Sequence, residues 1–319
     1  MSRHPRYSSA VRLVRLISMS IGVLVLAGCS AAGRNSQPAA PSNASPIVVG
    51  GSGAPSVFPV VVNSEFGIGP TRFLFVLVDA SNNPVSSPDR SADVAFIQPG
   101  ATSAPSPAPA TFLWGIENVR GYYVASVDLK TAGQWTASIS TVAKGGSPET
   151  IQAPFTVKDK TSALAIGQKA PSVKTPTLAD AGGDVTKVST DPSPDPSFYK
   201  VSEDQALADH KPFALVFATP KFCTSRLCGP QLDQVKAVAR DYPSVTFINV
   251  EPYKLELKDG QLQPVLDSSG NLQPVPAVDA FGILSEPWLY VVDKTGTITA
   301  SFEGVFSEQE LRGALDKVK

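Results

Sequence analysis

Residues 213–230 read FALVFATPKFCTSRLCGP and place Cys223 and Cys228 directly after an apolar run. The first six residues of this stretch are all apolar, which predicts a buried strand. Leu232 and Val235 then follow at the spacing of one helix face, so we predict a helix that begins near the cysteines. The two thiols therefore stand where a strand turns into a helix, and they are either a redox pair or a structural disulfide.

The N-terminus indicates on which side of a membrane these cysteines work. Residues 1–15 carry four Arg and no acid, and the apolar run 16–26 is too short to span a bilayer comfortably, which is typical of an export signal. The run ends in LAGC at Cys29 and resembles the lipobox of bacterial lipoproteins. The resemblance implies that residues 1–28 are a cleaved signal peptide and that Cys29 is lipidated. An uncleaved membrane anchor is the alternative.

Loss of the signal peptide changes both the charge and the cysteine inventory. The whole chain has 27 basic and 28 acidic residues, so removing four Arg leaves an acidic protein, and we expect no nucleic-acid partner. With Cys29 acylated, Cys223 and Cys228 are the remaining thiols in a compartment where disulfides persist. The mature chain keeps one His, His210, and no Met, so we expect no metal and no other cofactor.

The composition of residues 29–158 predicts a tether and a β domain. Residues 29–55 are small, polar and rich in Pro and Gly, as in a flexible tether. The part from 56 to 158 shows alternating apolar residues without a helical window, which predicts an Ig-like β-sandwich. We expect an exposed loop at 99–111. The predicted strands are 57–62, 71–79, 93–97, 121–129, 133–141 and 151–157.

The remaining chain predicts a linker and a second domain. Residues 159–197 are rich in Pro, Asp and Ser and are predicted to be a linker. Over 198–319 the predicted order is helix, strand, helix, strand, a long excursion, two strands and a final helix, which resembles the thioredoxin fold. The predicted fold class is therefore multidomain, an all-β Ig-like sandwich followed by an α/β thioredoxin-like domain in a C-x4-C variant.

The resemblance also implies a site. Pro287 occupies the position of the family's cis-proline, and Glu286 and Trp288 beside it are expected to line a substrate groove. A cysteine at a helix N-terminus meets free N–H groups and the positive end of the helix dipole, so Cys223 is the candidate nucleophile and Cys228 the resolving thiol.

Two nearby cations and the spacing of the cysteines affect how this predicted site would work. Lys221 and Arg226 are expected to favour the thiolate form of the nucleophile. On an ideal helix, residues five positions apart have Cα atoms roughly 8.5 Å from each other. A disulfide needs less than about 7 Å. Either Cys223 lies outside the helix or the first helical turn unwinds when the disulfide forms.

A peroxiredoxin-like peroxidase and a copper chaperone are two alternatives that share parts of this pattern. Peroxiredoxins of the bacterioferritin comigratory protein type also have a C-x4-C pair, but they place a Thr three and a Pro seven residues before the reactive Cys. Those positions here hold Pro220 and Val216, and Thr219 is four residues away. Sco-like copper chaperones separate their cysteines by three residues and add a distant His, whereas His210 precedes the first core strand here.

The sequence favours one function and leaves a second open. We predict a membrane-anchored extracytoplasmic thiol–disulfide oxidoreductase whose partner is a disulfide-containing client protein or a redox partner. The alternative is a non-catalytic binding lipoprotein in which the cysteines form a structural disulfide. The excursion 252–285 repeats QLQPV and NLQPV, which form either a hairpin beside Cys223 and Pro287 or surface decoration.

Overall fold

The computed structural model describes residues 55–319, which belong to one compact unit. The predicted signal peptide 1–28, the lipidation site Cys29 and almost all of the tether 29–55 lie outside the described residues. Among the helices of residues 55–319, none combines the length and the apolar character that a membrane crossing requires.

The first half of the described chain is a β-sandwich. Its strands form two sheets, with the orders β1-β3-β7-β6 and β2-β9-β8-β4-β5. The strands are β1 (Val57–Val61), β2 (Phe66–Gly67), β3 (Gly69–Asp79), β4 (Arg90–Ile97), β5 (Ala108–Pro109), β6 (Thr111–Ile116), β7 (Arg120–Leu129), β8 (Gly133–Ala143) and β9 (Glu149–Lys158).

Alternating residues of both sheets build the core of the sandwich. Tyr123 and Ala125 on β7 face Trp135 and Ala137 on β8 in one buried cluster, as the period of two predicts. Phe73 lies at the centre of this cluster, and its ring contacts those of four other aromatic residues. The six predicted strands are confirmed.

Three further strands were not predicted. The strand β2 has only two residues, β5 lies within the predicted loop 99–111, and β6 follows it directly. Strand β5 also has two residues, both exposed, so neither it nor β2 carries an apolar pattern that could reveal it. The strand β6 matters for the site, because it lies at the edge of its sheet and packs against the second half of the chain.

The second half contains two more sheets and the helices. A mixed sheet has the order β11-β10-β14-β15, in which β10 and β11 are parallel and the other pairs antiparallel. A hairpin of β12 and β13 forms the other sheet. The elements are α1 (Glu203–Ala208), β10 (Phe213–Phe217), α2 (Cys228–Ala239), β11 (Thr246–Val250), β12 (Leu255–Lys258), β13 (Gln261–Pro264), α3 (Pro276–Phe281), β14 (Trp288–Val292), β15 (Ile298–Glu303) and α4 (Glu308–Leu315).

These elements correct the predicted fold class. The described chain is mostly β, with far more residues in strands than in helices, and it does not show the predicted α/β thioredoxin-like domain. Two of its four α-helices, α1 and α3, have six residues each. Pro276 begins α3 and Gly282, with φ +65°, ends it after little more than one turn. Part of the excursion 252–285 forms a hairpin of strands.

Residues 159–197, predicted to be a linker, pack along the second half. Leu164 donates its N–H to the Phe281 carbonyl at 3.1 Å, and Gly167 donates to the Ile298 carbonyl at 2.8 Å. The Leu178 N–H reaches Tyr199 O at 2.7 Å. These backbone bonds hold the segment against the mixed sheet and its neighbours. The boundaries of the predicted domains stay predictions.

Polar contacts join the sandwich to the second half. The Arg72 guanidinium on β3 donates to the Glu310 carboxylate, with Nε–Oε1 2.8 Å, and to Val305 O at 2.9 Å. Glu303 is nine-tenths buried and accepts the Ser64 N–H at 2.8 Å. The partly buried guanidinium of Arg72 and the buried carboxyl group of Glu303 are each hydrogen-bonded across the junction, and these bonds fix how the two halves meet.

The central ring of the sandwich core gives the first prediction. We expect Phe73→Ala to lower the free energy of unfolding by about 3–5 kcal/mol, because it leaves a cavity among four aromatic rings. Chemical denaturation monitored by circular dichroism measures the change. Val119→Ala is the matched control, since Val119 is 69 % exposed and its truncation should cost less than about 0.5 kcal/mol. Equal losses for both variants would contradict the assigned core.

Candidate functional site

The two cysteines form a disulfide at the entrance of α2. Cys228 is the first residue of the helix, whereas Cys223 lies in the loop between β10 and α2. Their Cα atoms are 6.1 Å apart, within the range that a disulfide requires. Of the two geometries left open by the spacing, the structure has the one in which Cys223 lies outside the helix.

The two sulfur-bearing residues differ in access to solvent. Cys223 is 8 % exposed, while Cys228 is completely buried in the core formed with β10, β11 and α2. The loop that carries Cys223 is held by its own backbone, since Cys223 N donates to Thr219 O at 3.0 Å and Arg226 N donates to Cys223 O at 3.1 Å. Cys223 is therefore the more accessible residue of the pair.

Hydrogen-bond donors surround the Cys223 sulfur. The backbone N–H of Cys228, at the N-terminus of α2, donates to this sulfur at 3.3 Å. The Ser225 hydroxyl lies 3.2 Å from it. Both groups favour negative charge on the sulfur when the disulfide is reduced. The sequence pattern missed Ser225, although its place two residues after Cys223 was a usable signal.

The predicted groove residues are only partly brought together. The peptide bond between Glu286 and Pro287 is cis, as predicted, and Glu286 O lies 3.5 Å from the Ser225 hydroxyl. The Glu286 carboxylate accepts the Tyr253 hydroxyl at 2.8 Å, and burial raises the pKa of Glu286 above its usual value. Trp288, in contrast, is buried in the cluster on the opposite face of the sheet and donates its indole N–H to Ser301 at 3.0 Å.

The charged groups of the two predicted tuning residues form no hydrogen bond to either cysteine within residues 55–319. The Lys221 ammonium donates to Gln261 Oε1 at 3.2 Å and to Leu262 O at 3.3 Å, so it attaches the loop to strand β13. Arg226 is exposed and has a left-handed backbone with φ +61°. In residues 55–319 neither cation is hydrogen-bonded to a sulfur atom. Their effect on the thiol stays a prediction.

The excursion 252–285 forms a hairpin of β12 and β13. In it, QLQPV at 261–265 contributes the strand that pairs with residues 255–258. The two repeated motifs meet at their ends, where Gln273 donates its N–H to Val265 O at 3.2 Å and an isolated bridge joins Leu266 to Leu272. Through Lys221 the hairpin stands beside the cysteine loop.

A buried carboxyl group, Glu251, lies beneath the loop. It follows β11, is 8 % exposed, and accepts Thr190 N at 2.6 Å and the Thr190 hydroxyl at 2.8 Å through Oε1. Within residues 55–319 its other oxygen has no hydrogen-bond partner, and burial raises the pKa of Glu251 to about 7. Thr219, which also contacts this carboxyl group, accepts the Cys223 N–H through its carbonyl. An acid at the end of the apolar strand VTFINV was the signal for it in the sequence.

Two other regions lie apart from the cysteines. His210 is exposed in the turn after α1, and residues 55–319 contain no cluster of three or more His, Cys, Asp or Glu side chains able to hold a metal.

A cleft of about 990 Å³ separates β3 and β7 from β15 and α4, and it is lined by residues that include Arg72 and Glu303 but neither cysteine.

Comparisons with known proteins assign no family. No family model and no curated protein match the chain. Among solved structures, the PmoD soluble domain from Methylocystis sp. ATCC 49242 (Rockwell) has a TM-score of 0.22 and 15 % identity, over 32 % of this chain and 90 % of that one. The Lin-41 filamin domain has a TM-score of 0.20 and 17 % identity, over 33 % and 94 % of the two chains. At such scores these likenesses carry no argument about the protein.

The buried carboxyl group predicts a pH dependence of stability. Because burial raises its pKa, Glu251 keeps its proton up to about pH 7 in the folded state, while in the unfolded chain it loses the proton near the ordinary pKa of 4.5. Between these values the unfolded state binds fewer protons, so stability falls as the pH rises. Glu251→Gln removes this loss, and we expect its stability relative to the wild type to increase by about 3 kcal/mol from pH 4 to pH 8.

Urea denaturation at several pH values measures the change. Glu256→Gln is the matched control, because Glu256 is an exposed residue of β12 and its replacement should leave the pH profile unaltered. Glu203, whose pKa burial also raises to about 7, contributes equally to both proteins. A Glu251→Gln profile parallel to that of the wild type would show that Glu251 is ionised in the folded protein.

Proposed function

We propose that this protein is a thiol–disulfide oxidoreductase that uses Cys223 and Cys228. The observation that carries the proposal is the asymmetry of the pair. Cys223 lies in a loop, keeps 8 % of its surface exposed and receives the N–H of a helix N-terminus at its sulfur, whereas Cys228 is completely buried. Such an arrangement suits one attacking sulfur and one resolving sulfur.

The reaction proceeds by two exchange steps. In the reduced protein the Cys223 thiolate attacks a client disulfide, forms a mixed disulfide and releases one client thiolate. The Cys228 thiolate then attacks the Cys223 sulfur, forms the disulfide seen in the structure and releases the second client thiolate. Two electrons pass from the pair to the client. The reverse sequence oxidises a client dithiol, and the relative reduction potentials decide the direction.

We also propose where the reaction takes place. The N-terminal sequence, with its apolar run ending in LAGC at Cys29, supports export followed by lipid anchoring. The enzyme would then act outside the cytoplasm, attached to the membrane by its lipid, on a disulfide-containing client protein or a redox partner. The acidic mature chain supports a protein client rather than a nucleic acid.

One observation favours a second candidate function, that of a binding lipoprotein with a structural disulfide. Leu227, between the cysteines, is buried against the sandwich, and Cys228 is completely inaccessible in the oxidised protein. A disulfide fixed in this way would hold the second half of the chain against the sandwich without reacting.

A single trapping experiment separates the two functions. Reduced Cys228→Ser protein is mixed with oxidised glutathione, and the product is analysed by intact-protein and peptide mass spectrometry. We expect one glutathione on Cys223, because the resolving thiol is absent and the mixed disulfide accumulates. Cys223→Ser is the matched control and should accumulate far less adduct, since Cys228 is buried. Equal or absent labelling of the two variants in their folded state would support the structural disulfide.

A further inference from the structure

The sandwich contributes a hydrogen bond to the cysteine loop. Arg120, the first residue of β7, donates through Nη1 to the carbonyl oxygen of Ser225 at 3.1 Å. The two residues are 105 positions apart in the chain. A charged donor on a neutral carbonyl makes a stronger bond than a neutral pair, so this contact restrains the backbone of Ser225.

The Ser225 side chain touches the reactive sulfur. Its hydroxyl lies 3.2 Å from the Cys223 sulfur and 3.5 Å from Glu286 O, and it accepts the Leu227 N–H at 3.4 Å. A hydroxyl has one proton to donate, so it donates either to the sulfur or to the carbonyl. A thiolate is a charged acceptor and a better one than a disulfide sulfur, so reduction favours the bond to Cys223.

An apolar contact holds the same loop from its other side. Leu227 is 3 % exposed and packs with Leu74, Tyr122, Val124 and Val305 in one buried cluster. Three of these four partners belong to the sandwich strands β3 and β7. Gly115 on β6 makes the approach possible, because a Cβ there would come within 2.8 Å of Leu227. The sandwich thus restrains the loop on both sides of Arg226.

We propose that Arg120 is a positioning residue of the redox site, which fixes Ser225 so that its hydroxyl stabilises the Cys223 thiolate. The sandwich is then part of the site and not only its support. This inference rests on the proposed function for its biological role. The stabilisation of the thiolate is a separate physical property that can be measured without a client.

The other charged groups around the sulfur are held independently of Arg120. Lys221 is bonded to strand β13, Arg226 is exposed, and the Glu286 carboxyl group is bonded to Tyr253. Glu251 lies behind Thr219 and is bonded to Thr190. Arg120 also contacts the hydroxyl of Tyr122 on its own strand. A change at Arg120 therefore acts on the sulfur either through Ser225 or through its own charge.

A double-mutant cycle separates these two routes. The full-length protein carries Cys228→Ser, and the rate of Cys223 alkylation by iodoacetamide is measured against pH, with the Cys223 peptide quantified by mass spectrometry. We expect Ser225→Ala and Arg120→Gln each to raise the midpoint of the pH profile by about one unit, which is a tenfold loss of thiolate at pH values well below the midpoint. The two changes together should raise it no further than Ser225→Ala alone.

Arg120→Lys tests geometry at constant charge. It should raise the midpoint of the pH profile less than Arg120→Gln does, and it should not raise the midpoint when Ser225 is already replaced by Ala. Arg90→Gln is the matched control, because Arg90 is a sandwich arginine that bonds Thr141 within the sandwich and should leave the profile unchanged. Thermal unfolding of each variant verifies that it is folded. If Arg120→Gln does not fold, Arg120→Lys alone provides the test.

The outcomes distinguish this inference from the proposed function. Additive shifts of Arg120→Gln and Ser225→Ala would show that Arg120 acts by its charge, and would overturn the inference. An unchanged pH profile of alkylation in folded Arg120→Gln would overturn it as well. Where Arg120→Gln does not fold, an unchanged profile in Arg120→Lys would have the same meaning. If the parent protein traps no glutathione but the cycle shows the expected coupling, the proposed function fails while the positioning of Ser225 stands.

Discussion

The placement of Cys223 in the loop ahead of α2 is the constraint on which the site depends. Five positions along a regular helix would separate the two Cα atoms too far for a disulfide, but leaving the first cysteine outside the helix brings them to 6.1 Å. The same placement directs the free N–H at the start of α2 toward the Cys223 sulfur. Closure of the disulfide and stabilisation of the reduced thiolate therefore have one structural cause.

That loop is held by parts of the chain that are remote in sequence. Strand β13 anchors Lys221, the sandwich anchors Ser225 and Leu227, and a buried acid lies beneath Thr219. Each contact limits how the loop can move when the disulfide opens. The proposed exchange would therefore take place without unfolding of the surroundings, which a repeated reaction requires.

Local patterns in the sequence predicted some of this and could not predict the rest. The alternation around Tyr123 and Trp135 predicted two strands of the sandwich because period two is a local property. The fold class was wrong because short apolar windows in the second half indicate that a segment is buried, but not whether helices or strands dominate the whole. Arg120 was missed because its contact with Ser225 joins residues 105 positions apart, and no periodicity reports such a bond.

The proposed function requires above all that the Cys223–Cys228 disulfide be exchangeable in the folded protein. Equilibration of the full chain in glutathione redox buffers, followed by rapid acid quenching and thiol alkylation, measures the reduction potential of this pair. We predict a potential above about −300 mV, within the range of proteins that exchange disulfides. A potential well below that value, with the folded protein remaining oxidised in every buffer, would contradict it and identify the bond as structural.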